Sequence, residues 1–428
     1  MRHTLKIIFF LHVLILPSSA QDNAPKDFAH YWRQAVSAYE AKDYPAYFEN
    51  MQAVVKFRPD NPNMKYNFAG AHTLIGKSQE ALGLLAKLAD MGLIFDAAAD
   101  EDFNSIKDSE AFKDILKKFE MNKAPVNHSE VAFKLSEKDL ITEGVAYDPV
   151  TEIFYVGSIH QRKIVSRDKK GVVKDFATAQ DGLWSVFGMK VDAKRRTLWV
   201  CSTVTPQMLG FQKEEEGLSS VFKFDLKSGK LVKRYDLPNQ PQPHWLGDLV
   251  VNSRGDVFIT DSQAPGAVYA IFQQKDELEL FIPAGPFRSP QGIDFSDDEK
   301  HLFIADYSIG IFKFDLTTKQ HIKLSAPENL AWIGIDGLYF YKNCLIAIQN
   351  GINPHRVVRF FLSKNLDHIE RAEVIEANNP QFNEPTLGAL VRDSFYYVAN
   401  SQWGSFNKDK TIFPLEKLQE PIIMRAKL

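Results

Sequence analysis

A change of apolar period near residue 121 and a strand motif that recurs six times predict a mainly β protein, a six-bladed β-propeller preceded by a small all-α domain of helical repeats. Before the change, apolar residues of 27–119 recur at helical spacing between Gly-, Pro- and Asp-rich turns. After it, short runs rich in Val, Ile, Phe, Tyr and Trp alternate with turns such as Lys-Lys-Gly and Ser-Gly-Lys. The division expected is 1–20, a signal peptide; 24–120, the helical domain; 121–130, a linker; and 131–428, the propeller.

The first segment has Arg2, His3 and Lys6 before an apolar run over 7–16, then Pro17 and the small residues Ser18, Ser19 and Ala20. That order reads as an export signal cut after Ala20, and the run is short for a membrane span, which needs about 20 apolar residues. The expectation is a periplasmic or secreted protein with no transmembrane segment after cleavage. The whole chain has 428 residues, 45% hydrophobic and 25% charged, with a formal charge of −3. It therefore lacks the basic field that holds a phosphate backbone, so nucleic acid is not an expected partner.

Four helices are predicted over 26–41, 45–57, 62–74 and 79–91, each entered through Pro, Asp or Asn. A shift of 34 residues superposes Ala35 on Ala69, Tyr47 on Ala81 and Val55 on Ala89. With Trp32, Ala35, Tyr39 and Pro59, the stretch resembles a pair of tetratricopeptide repeats. Asp102-Phe103 and the apolar series to Phe119 read as a capping helical pair. Such a module either offers a groove to a protein or peptide partner or packs on the next domain. Two repeats are fewer than the three usually needed for stability alone, which favours packing.

The repeated motif is a variable residue, a Gly or Asp, and three mostly apolar residues, followed by a turn and a very apolar strand. Its copies begin at Glu143-Gly144, Phe187-Gly188, Gly247-Asp248, Gln291-Gly292, Asp336-Gly337 and Leu387-Gly388, separated by 44, 60, 44, 45 and 51 residues. Steps near 45 suit four strands each, and the long step contains a polar insert over 202–219 with Glu214, Glu215 and Glu216. Ring closure is expected to pair 131–135 with a final strand over 422–427. Cys201 and Cys344 fall in blades two and five, too far apart to bridge, and read as buried thiols.

The innermost strand of each blade faces the axis, so the first motif residues form one ring: Glu143, Phe187, Gly247, Gln291, Asp336 and Leu387. Two carboxylates and an amide in a narrow channel repel unless a proton or cation joins them, and hard oxygen donors suit calcium, with another divalent cation as the alternative. With Pro290-Gln291-Gly292-Ile-Asp-Phe-Ser and Asp336-Gly337-Leu, the stretch from 141 to about 403 resembles the family of senescence marker protein 30, gluconolactonases and related calcium-dependent phosphotriesterases. The resemblance implies a metal held by Glu143, Gln291 and Asp336, with Asp248 beside Gly247 where an Asn is usual. It also implies Asp336 as catalytic base or nucleophile, and a lactone or small ester as substrate.

Loops that precede the innermost strands and loops that follow the next strand open on the same face, which makes His244, Trp245, Asn350 and His355 candidate substrate-binding residues, with Trp184, Trp332 and Trp403 nearby. No dinucleotide, Walker, H-E-x-x-H or G-x-S-x-G motif is present in the sequence. Two functions follow: an exported, metal-dependent hydrolase, favoured by Glu143 and Asp336, or a non-catalytic binding or scaffold propeller, favoured by Gly247 and Gln291.

Overall fold

The computed structural model describes residues 27–238, 243–263 and 265–428. The expected signal segment lies outside them. Among the described residues no helix is long and apolar enough to cross a membrane.

Four of the five helices open on a side-chain cap, all but the fourth. Helix α1 (Phe28–Glu40) is capped by Asp27, α2 (Tyr44–Phe57) by Asp43, and α3 (Pro62–Leu74) by Asn61, with Pro45 and Pro62 in the first turns of α2 and α3. Helix α4 (Ser78–Asp90) and, beyond a short turn of 3-10 helix at Glu101–Phe103, α5 (Glu110–Met121) complete the module. The expected capping pair is thus one helix and one turn, because Asp100 caps the turn and Ser109 starts α5.

Six antiparallel sheets follow in chain order, and they make a six-bladed propeller. The innermost strands are Thr142–Asp148, Ser185–Asp192, Leu246–Val251, Pro290–Phe295, Ile335–Tyr341 and Gly388–Val391. The ring closes as expected: Ser129–Lys134 pairs antiparallel with Ile422–Lys427 as the outer strand of blade six. That completes the sixth sheet at four strands and joins the two ends of the propeller sequence. The polar insert of blade two is shorter than its composition suggests. Residues 202, 203 and 219 belong to strands, and Val204, Thr205 and Met208 are buried.

The recurring Gly has a physical cause. Five of the six innermost strands break register at the motif, between Thr142 and Val145, Val186 and Met189, Leu246 and Leu249, Pro290 and Ile293, and Ile335 and Leu338. Such bulges re-aim side chains at the end of a strand. There the strands crowd: a Cβ on Gly144 would stand 2.3 Å from Phe187 O, and one on Gly292 2.3 Å from Leu338 N. Only glycine lets neighbouring backbones approach so closely.

The linker is structured. Val126–Asn127 adds a fifth strand to blade five, against Ile369–Ala377. The helical module packs on the same blade, its apolar core of Leu85, Leu88, Phe103 and Phe112 running on to Ala331 and Ile352. Buried Arg356 ties the two, donating to Gln349 Oε1 (2.8 Å), Met91 O (3.1 Å) and Ala331 O (3.1 Å). Cys201 and Cys344 are both free and buried.

Candidate active site

The bulges place Glu143 and Asp336 at one end of the axis, from blades one and five. Glu143 is buried, and its Oε2 accepts from Trp403 Nε1 at 2.8 Å and Ser401 Oγ at 3.0 Å. Burial and the Asp336 charge raise its pKa well above the usual carboxylate range. Asp336 Oδ2 accepts from Asn350 Nδ2 at 2.7 Å, and burial lifts its pKa to about 7 despite that bond. Asn350 is itself held: Oδ1 accepts from Tyr307 OH at 3.0 Å, and Nδ2 also donates to Pro385 O at 3.0 Å. A third carboxylate, Glu384, is raised to about 7 by burial and by Asp336.

The remaining expected residues are placed as follows. Asn350 and Trp245 belong to the site. Trp245 meets Phe187 edge-on (centroids 5.4 Å apart) and Trp403 at a tilt (6.4 Å), and Phe187 stacks on Trp403 at 6.3 Å, an aromatic cluster beside Glu143. His244 is turned away: Nδ1 is 2.5 Å from Asp261 Oδ2 and Nε2 is 2.9 Å from Pro238 O. Both neighbours are acceptors, so both ring nitrogens carry protons. Burial alone would lower its pKa, but the Asp261 carboxylate raises it. His355 ends the loop whose Ile352 and Asn353 meet the helical module; it shares no hydrogen bond with the site among the described residues.

Gln291 and Gly247 act as a pair. A Cβ on Gly247 would lie 2.7 Å from Gln291 Oε1, so the longer amide occupies the space that glycine leaves. Asp248 does not replace the missing ligand. Its Oδ1 accepts from Leu249 N at 2.8 Å, it packs over Gly188, and its Oδ2 has no partner among the described residues. The donors therefore do not fit the calcium centre that the resemblance implies. Gln291 is folded over its neighbour, one oxygen each of Glu143 and Asp336 is already bonded, and among the described residues no group of three or more His, Cys, Asp or Glu side chains has the geometry to hold a metal ion.

Glu384, Tyr307 and Ser401 went unnoticed in the sequence. Glu384 lies in Asn383-Glu384-Pro385, just before the sixth innermost strand, in the same kind of loop that singled out His244 and Trp245. The loop rule applied to blade six would have found it.

No family model matches the chain, and no curated protein does. Solved structures similar to it include a gluconolactonase from Xanthomonas campestris, with 14% identity and a TM-score of 0.47, covering 71% of this chain and 98% of that one. A luciferin-regenerating enzyme has 13% identity and a TM-score of 0.49, covering 71% and 96%. A calcium-binding protein, regucalcin, from Agrobacterium tumefaciens has 13% identity and a TM-score of 0.48, covering 69% and 93%. The neighbours are thus gluconolactonase- and regucalcin-like propellers, while the six-bladed architecture of this chain stands on its own strand pairing.

Proposed function

We propose that the chain is a hydrolase of lactones or small esters that works from the Glu143 and Asp336 carboxylates. The observation that carries this reading is their convergence from two blades into one buried, like-charged site whose loops supply hydrogen-bond donors. A carboxylate titrating near neutrality, as Asp336 does, is suited to take a proton and return it. Water adds to the carbonyl carbon and gives its proton to Asp336. The ester C–O bond then breaks, and the leaving alkoxide takes the proton back, yielding hydroxy acid or alcohol and acid. Burial raises the pKa of Glu143 and so favours its protonated form, which, with Oε2 bonded to Ser401 and Trp403, offers Oε1 to the developing oxyanion.

Calcium, expected from the sequence, is the part of the reading that the donor set supports least, and no step above passes through a metal. Turnover of a lactone and aryl-ester panel, with and without chelator, tests both statements. Activity that survives chelation supports the carboxylate mechanism. Absence of any turnover leaves the scaffold reading, which the Gln291–Gly247 exchange favours. We also propose that 1–20 directs export to the periplasm or outside. Sequencing the mature protein from a secreting host is expected to begin at Gln21.

A further inference from the structure

The helical module stands over one side of the mouth. Its core reaches Ala331, before the innermost strand of blade five, and Ile352, after the next strand, and Ile94 N donates to Asn353 O at 2.8 Å. Those two loops open on the face that holds Asp336 and Asn350. On blade four, Lys323 ends the outer strand His321–Lys323 on the same face and pairs with Asp60 at 2.7 Å. Asp60 follows Arg58, the C-cap of α2, by two residues, so the end of α2 is tied to blade four.

Two guanidiniums meet at this seam, one from each domain. Arg58, half-buried, packs 4.4 Å from the centre of the Phe28 ring. Burial, then the charge of Arg288, lower its pKa, and the Asp306 carboxylate offsets only part of this. Asp306 is occupied by backbone: its oxygens accept from Arg288 N (2.5 Å), Ser289 N (2.9 Å), Ser308 N (2.9 Å) and Ile309 N (3.2 Å). Neither guanidinium has a hydrogen-bond or ion-pair partner among the described residues, although each carries a fork of N–H donors. The pair is close to the reacting groups. Arg288 precedes Gln291 of the axial ring by three residues, at most about 10 Å of extended chain. Ser289 O accepts from Tyr307 N at 2.9 Å, and Tyr307 OH holds the Asn350 that bonds Asp336.

We infer that Arg58 and Arg288 bind an oxyanion where the helical module meets the mouth, so that the enzyme acts on an ester or lactone carrying a carboxylate or phosphate group away from its reacting carbonyl. Guanidinium forks match such groups, and an anion between the two relieves their mutual repulsion. The floor of Glu143, Asp336 and Glu384 repels the same anion. A basic rim over an acidic floor therefore turns the substrate carbonyl-first. The inference rests on the hydrolase reading for the reaction but not for the anion site.

The test uses the whole protein with Arg58→Gln and Arg288→Gln; Arg288 is exposed, so its loss leaves the fold intact. Turnover of 4-nitrophenyl esters of a six-carbon acid ending in carboxylate, and of a five-carbon acid ending in phosphate, is compared with that of neutral 4-nitrophenyl hexanoate. Calorimetry measures binding of adipate and of inorganic phosphate, which are not hydrolysed. The parent is expected to prefer an anionic ester, and the arm with the larger preference names the anion. Each arginine variant is expected to lower that preference about tenfold, chiefly through KM, and to weaken binding of the matching ion by a similar factor. Lys87→Gln, which removes the exposed seam pair with Glu328 (2.8 Å), is expected to change neither. Equal turnover of charged and neutral esters overturns the inference, as does a preference that survives both arginine variants or falls equally with Lys87→Gln. If no ester is hydrolysed while adipate or phosphate binds through the arginines, the hydrolase reading fails and the anion site stands. If neither ion binds in that case, both fail.

Discussion

The two ends of the propeller axis bury the same kind of side chain and treat it in opposite ways. At the mouth, Glu143 and Asp336 are held by loop side chains, Trp403, Ser401 and Asn350, while the Glu384 carboxylate has no hydrogen-bond partner among the described residues, and burial, then the neighbouring carboxylates, raise the pKa values of Glu143 and Glu384. Farther along, Asp294 takes the backbone amides of Phe295 and, from the next blade, Phe340, each at 2.9 Å. Lys190, 4.7 Å above the Tyr339 ring, faces both Asp294 and Asp248 and offsets part of their burial. A cavity of about 160 Å³ lies here, lined by Lys190, Asp294 and Tyr339. Backbone partners and a counter-charge mark a carboxylate that joins blades. Loop partners and uncompensated charge mark one that is available for chemistry.

The largest effect that separates the two ends is expected from Asp336→Asn. Loss of a positioned general base lowers lactone turnover by about 10² to 10⁴. Stability moves the other way. The folded pKa of Asp336 lies above its unfolded value, so the ionised form opposes folding, not at all below about pH 4 and fully above about pH 7. The substitution is expected to raise Tm at pH 8 and leave it nearly unchanged at pH 4, with a gain of roughly 2 to 4 kcal/mol at the higher pH. At the other end, Asp294→Ala is expected to destabilise by about 2 to 4 kcal/mol in urea titrations, because two amides lose their acceptor, while the folded fraction keeps its turnover. An Asp294 variant as stable as the parent would erase the distinction.

Lys190→Met sharpens the comparison by a smaller amount. Without the ammonium, Asp248, now titrating near about 6, and Asp294 are driven higher, so the penalty appears above that range. The loss of stability is expected to be about 1 to 2 kcal/mol greater at pH 8 than at pH 4. Equal losses at both values would mean that Lys190 contributes packing on Tyr339 and not charge.

Most of the architecture was legible because it rests on local chemistry. Asp27, Asp43 and Asn61 cap helices one residue from where each begins, so α1, α2 and α3 fall within two residues of their expected bounds. The motif Gly was legible because the crowding of innermost strands repeats around the ring, and five of the six copies carry the glycine it requires, Asp248 standing in the third. What stayed hidden depends on a single long-range meeting. Nothing in the sequence around His244 reveals that Pro238 O and Asp261 would take both its nitrogens, and nothing around Val126 shows a strand pairing with Ala377. Gln291 was read as a lengthened ligand, whereas its extra methylene carries the amide over the space that Gly247 vacates. Departures from a family pattern have to be read in pairs.

The smallest predicted effect is also the most direct probe of Glu143. Trp403→Phe keeps the ring beside Phe187 and Trp245 but removes the Nε1–H that bonds Glu143 Oε2, leaving Ser401 as the remaining side-chain donor. That N–H favours the ionised form, so its loss raises the Glu143 pKa further. If neutral Glu143 donates to the oxyanion, turnover at neutral pH falls only about threefold, by looser positioning, from the loss of one hydrogen bond. The alkaline limb of the pH–rate profile, which reports deprotonation of Glu143, moves to higher pH. If the group acted as a carboxylate, the same substitution would instead move the acidic limb upward and reduce activity below neutrality. The direction in which the profile moves therefore assigns the proton, which a change in rate alone does not.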